Sequence, residues 1–121
     1  TKEKTYALTL RDLAVMDKLL PDKSEALRRL DVTVLHSLIL ENIMGIDKEN
    51  MAKQINLTYT RDAGEADAAA QTYADCSFLL NPTRVDEIAA VAAAGEKMPQ
   101  KSTYFYPKLI TGLVMNEVIK K

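Results

Sequence analysis

Residues 55–61 read INLTYTR, and the fold turns on whether this stretch is extended or helical. Ile55, Leu57 and Tyr59 alternate with Asn56, Thr58 and Thr60. In extended backbone one face is then apolar and the other polar, the pattern of a half-buried strand. Residues 5–11, TYALTLR, repeat it: Tyr6, Leu8 and Leu10 point one way, Thr5, Ala7, Thr9 and Arg11 the other. Residues 77–81, SFLLN, form a short apolar run of the kind expected at a sheet centre. Residues 102–116, STYFYPKLITGLVMN, predict a strand-rich tail interrupted by Pro107 and Gly112.

Helical patterns fill the gaps. Pro21 and Asp22 mark a loop, after which Ser24 is placed to cap a short helix over 25–30. Residues 31–45 predict a longer helix, with Asp31 near its start and Gly45 as its stop. Residues 47–54 add one or two turns, and residues 63–74 are an alanine-rich helix. The clearest helix spans 81–95: Pro82 lies near the first turn, Thr83 and Asp86 have capping-box spacing, and Gly95 follows the end. Strands alternating with helices imply βαβ units with right-handed crossovers. The expected fold is α/β, with α+β as the alternative. It is a two-layer sandwich whose mixed, mostly parallel sheet of about four to five strands carries helices on one face.

The 121 residues fit one domain, 1–121. With 16 basic and 17 acidic side chains, net charge is near zero, which argues against a strong non-specific nucleic-acid binder. Apolar runs are too short to cross a bilayer, and no signal-peptide pattern opens the chain. Cys76 is the only cysteine, so no internal disulfide can form, as fits a reducing, cytoplasmic setting. The sequence has no initiator Met and enters a strand-like run almost at once. We therefore expect a domain excised from a longer protein, whose missing part would be a natural partner.

Candidate chemistry concentrates in residues 98–108, MPQKSTYFYPK. Gly95, Lys101 and Ser102 have phosphate-loop spacing, but Gln100 replaces the second glycine and the loop joins helix to strand. Lys101 and Ser102 suit another kind of anion site, or else a solvated connection. In a parallel sheet, ligands favour the carboxyl ends of strands. There Arg61, Arg84 and Lys108 would supply positive charge, Thr83 and Tyr106 hydrogen bonds, and the helix starting at Thr83 its free amides. The rival reading is that these are ordinary charged loop residues and that Thr83 only caps the helix. His36, the sole histidine, shares an arc of roughly 140° with Thr33, Ser37 and Glu41 at helical spacing. That stripe is either the outer face of an amphipathic helix or an acid–base site; His36 and Lys101 are the catalytic candidates if the protein is an enzyme. One His and one Cys do not make a closed zinc shell.

DVTVLHSLILENIMGI at 31–46, FLLNPTRVDEI at 78–88 and MPQKSTYFYPKLITGL at 98–113 together resemble a known family. It is the prokaryotic family catalogued as domain of unknown function 1015, whose members are often labelled SpoOJ/ParA/ParB/RepB-like. The resemblance covers about residues 31–115 and implies a cytoplasmic prokaryotic protein of undefined activity, of which this chain is a C-terminal fragment. The partition label would imply DNA association, although this segment has no basic recognition helix. The expected function is binding of a small anionic or phosphorylated ligand. The alternatives are an interaction or dimerisation module without catalysis, with a homodimer as one form, and a DNA-associated partition-like protein.

Overall fold

The structure, a computed structural model, describes residues 1–104. Expectations for Tyr106, Lys108 and most of the tail strand lie outside the described residues.

Local capping sets the helices. In α1 (Ala14–Leu19) the Ala14 N–H donates to Asp12 Oδ1 at 2.9 Å, and Met16 is fully buried. In α2 (Glu25–Arg28) the Leu27 N–H donates to Ser24 Oγ at 3.2 Å. α3 (Asp31–Thr33) runs directly into a π-helical segment, Val34–Ile43. α4 (Lys48–Lys53) starts at Asp47, whose Oδ1 accepts from Asn50 N–H at 2.8 Å. α5 (Ala63–Thr72) starts at Asp62, whose Oδ1 accepts from Glu65 N–H at 3.0 Å. α6 (Val85–Ala93) ends before Gly95, whose φ of +72° is the left-handed conformation that a glycine adopts without strain.

The π winding closes hydrogen bonds from i to i+5, as in Met44 N–H to Ile39 C=O at 2.9 Å. Residues five apart therefore stack. Leu35 and Leu40 are both buried, in one cluster with Met51, against which Ile39, Ile46, Leu57 and Phe78 pack. A second cluster joins α2 to α6 through Leu27, Leu30, Val32 and Val91, with Ala26 and Met98 against it. The same two helices are tied at their ends. Ser24 N–H donates to Glu96 Oε2 at 3.0 Å, the Ser24 hydroxyl donates to the same oxygen, and Lys23 Nζ lies 3.6 Å from Oε1.

The expected α/β sandwich is not what forms. Among the described residues there is no strand; the regular elements are all helical. The α/β and α+β expectations, and the sheet with helices on one face, are thereby overturned. Alternation supplies a face, but a strand exists only when its backbone is paired. Leu57 and Phe78 reach the helical core as single side chains, so their segments gain burial without a ladder. Thr60 is drawn into capping instead: its hydroxyl donates to Glu65 and accepts from Asp62 N–H at 3.2 Å. Such local side-chain bonds compete with strand pairing. Residues 5–9 are exposed throughout.

Candidate functional site

Of the expected ligand rim, Thr83 and Arg84 lie together at the start of α6. A cavity of about 270 Å³ opens there between Leu30 and Asp31 on one side and Asn81, Thr83, Arg84 and Glu87 on the other. Asn81 Nδ2 donates to Asp31 Oδ2 at 2.8 Å and fixes the loop across the mouth. The cap of α6 is Arg84, one residue after the expected Thr83. Its backbone N–H donates to Glu87 Oε2 at 2.7 Å. Its guanidinium grips the next carboxylate, Nε donating to Asp86 Oδ1 at 3.0 Å and Nη2 to Oδ2 at 2.5 Å. With Asp31 and Glu87 lining it and Arg84 neutralised by Asp86, the mouth is net acidic, and an anion entering it meets repulsion.

Thr83 and Ser102 do come together. The Thr83 hydroxyl donates to Ser102 C=O at 2.9 Å, and the Ser102 hydroxyl donates to Pro99 C=O at 2.6 Å. Both hydroxyl protons are thus committed to the 99–102 turn, where Lys101 sits exposed with a φ of +59°. Two residues on, the Tyr104 ring lies under Arg61, with the guanidinium carbon 4.0 Å from the ring centroid. That is a cation–π contact at an exposed site. Arg61 forms no ion pair among the described residues. The neighbouring start of α5 carries Asp62 and Glu65 and is already capped.

His36 is half-buried, its ring edge-on to Tyr59 with centroids 6.4 Å apart and an interplanar angle of 69°. Burial lowers its pKa, so the neutral imidazole is favoured, and burial raises that of Tyr59. The π winding changes the arc expected for His36: Thr33 and Ser37 turn inward and are buried, while His36 and Glu41 remain half-buried. No hydrogen bond joins His36 to Ser37 or Glu41 among the described residues, so no base–nucleophile pair is assembled there. Cys76 is a free, half-buried thiol. Among the described residues no three His, Cys, Asp or Glu side chains gather as for a metal ion, and no helix is long and apolar enough to cross a membrane.

A further set of exposed apolar side chains was not among the expected ligand-binding positions. Tyr6 is 64%, Leu8 69%, Ile55 65% and Leu79 64% exposed, and Leu80 is also exposed. All belong to the three alternating or apolar segments, and none of these segments is hydrogen-bonded in a ladder among the described residues. Their sequence signal was legible as strand pattern, but it gave no sign that the partner strand would be missing.

Comparison of the chain with family models, curated proteins and solved structures returned no match.

Proposed function

We propose that the chain is an interaction module: a small helical scaffold offering β-prone segments to another polypeptide. The observation that carries this is the exposure of Tyr6, Leu8, Ile55 and Leu79 on backbone that has no strand partner among the described residues. A main chain with free N–H and C=O groups and alternate apolar side chains is suited to strand addition. The ladder gives affinity and the side chains give selectivity. An adjoining part of a longer protein and a twin subunit are both partners of this kind, and a cytoplasmic setting suits the lone Cys76. Hydrogen exchange in dilute protein tests the proposal. Amides of residues 5–10, 57–60 and 77–80 should exchange quickly while those of α5 and α6 are protected. Strong protection of the three segments in a proven monomer would mean that they are already paired, and would overturn it.

A second reading, a small anionic ligand, is favoured by one observation: Arg61 lies on Tyr104 with no carboxylate partner among the described residues. A planar guanidinium held against an aromatic face keeps its edge donors free for phosphate or carboxylate. Inorganic phosphate and nucleotides in a thermal-shift screen test it. A ligand at 100 times its dissociation constant adds about 2.7 kcal/mol, and Arg61→Ala should erase that gain.

A further inference from the structure

Among the exposed segments, residues 5–11 stand apart, because no side chain from 5 to 9 is even half-buried. They are followed at once by α1 and the Asp12 side chain bonded to Ala14 N–H, which fix where a paired run must stop. Lys4 marks the other end: its N–H and C=O are both bonded to Thr1, while its side chain is exposed.

From this layout we infer that residues 5–11 pair with the same residues of a second copy, as an antiparallel two-fold ladder centred on Leu8. The inference rests on the interaction-module reading and names its partner. In antiparallel pairing, residues directly opposite share a face, so only registers in which the paired residue numbers sum to an even value keep apolar beside apolar. A sum of 16 sets Leu8 opposite Leu8 and Tyr6 opposite Leu10, so each of the three large apolar side chains on that face meets another. It also sets Lys4 opposite Asp12 at both ends, an attractive cross-strand pair. Asp12 has an oxygen to spare, since only Oδ1 accepts from Ala14. A sum of 14 gives other charge pairs, Lys2 with Asp12 and Glu3 with Arg11, but leaves Leu10 opposite Lys4. A sum of 18 places Tyr6 opposite Asp12. Thus charge and apolar matching together select one self-complementary register, as an isologous interface requires.

The test uses the full chain in a Cys76→Ser background. Light scattering should show mass rising from monomer to dimer with concentration. The Leu8→Cys variant should form an intermolecular disulfide, because directly opposed Cα atoms lie about 4.5–5.5 Å apart, inside the bridging range. The Ala7→Cys variant, whose new thiols the alternative sum of 14 would bring together, should not. Lys4→Glu should weaken dimerisation roughly tenfold, since both ends of the ladder then carry like charges. Lys4, Ala7 and Leu8 are all exposed, so folding is not at risk from these changes. A strictly monomeric chain overturns the inference. So does a dimer in which the Ala7→Cys variant crosslinks and the Leu8→Cys variant does not. A monomer whose 5–10 amides still exchange freely keeps the interaction-module reading with a different partner. A monomer with those amides protected removes both.

Discussion

Truncating Leu40 separates a helical core from a sheet-based one. Leu40 is 1% exposed and lies in the π-helical segment against Leu35 and Met51. Leu40→Ala deletes three carbons, worth about 2.4 kcal/mol at ~0.8 kcal/mol per buried methylene. A cavity contribution adds to this, and it depends on how far the neighbours close in. Ile39, Ile46, Leu57 and Phe78 are only partly buried, so they have room to shift inward. The total should therefore fall near ~3 kcal/mol, in the lower half of the range seen for buried leucines. That is a large part of the roughly 5–15 kcal/mol that a domain has, and for this chain length corresponds to about 10–15 °C in Tm. Leu8→Ala is the matched control. At 69% exposure it should change stability by no more than about 0.5 kcal/mol in dilute protein. Urea titration followed by helical circular dichroism reads both variants. A comparably large cost for Leu8→Ala would mean that Leu8 is buried in an internal sheet, and a cost below about 1 kcal/mol for Leu40→Ala would mean that Leu40 is not in the core; either result would rule out this helical core.

Other outcomes follow from the same contacts. Glu96 has a lowered pKa, chiefly through the Ser24 hydroxyl hydrogen bond, with Ser24 N–H and Lys23 assisting against a smaller opposing effect of burial. A depressed carboxylate stabilises the fold above its unfolded pKa, and that stabilisation is lost as pH falls through the folded value. Thermal melts of Glu96→Gln should thus lie below the parent's at neutral pH and converge with them in acid. His36, lowered by burial, binds its proton less readily when folded. Its presence should make stability fall as pH drops below 6.5, and an NMR titration should give a value under 6.5; a value above it would contradict the burial. Thr33 Oγ1 is buried without a hydrogen-bond partner, so Thr33→Val, of the same shape, should gain up to about 1 kcal/mol in urea unfolding.

What the sequence disclosed was local. Ser24 caps α2, and both Gly45 and Gly95 take up positive φ just beyond the helical runs they were expected to end. These signals involve neighbours within four residues, so they survive whatever the tertiary partners are. The helix α1 is absent from the expected elements, although Asp12 precedes apolar residues at 13, 16 and 19. At under two turns it is too short for periodicity to mark it against the adjoining loop. The π winding had no signature at α-helical spacing; it shows in the i to i+5 hydrogen bonding and in the joint burial of Leu35 and Leu40. Strand pairing was the largest departure. Alternation in residues 55–61 describes one edge of a contact whose other half is contributed elsewhere, and here Leu57 settled on helices instead. Arg84 is not the unpaired rim cation that was expected, for a related reason. Its place after a predicted strand suggested Arg84 as a ligand-binding cation, whereas Asp86, two residues away, neutralises it.

The proposed function stands on β-prone segments that lie unpaired on a helical scaffold. Backbone NMR of dilute, monomeric protein reads that state through carbon chemical shifts and cross-strand proton contacts. Helical shifts are expected over Ala14–Leu19, Ala63–Thr72 and Val85–Ala93, with no cross-strand contacts among residues 5–11, 55–61 and 77–81. A continuous series of such contacts between any two of these segments would show that the sheet forms within one chain, and the unpaired surface would not exist.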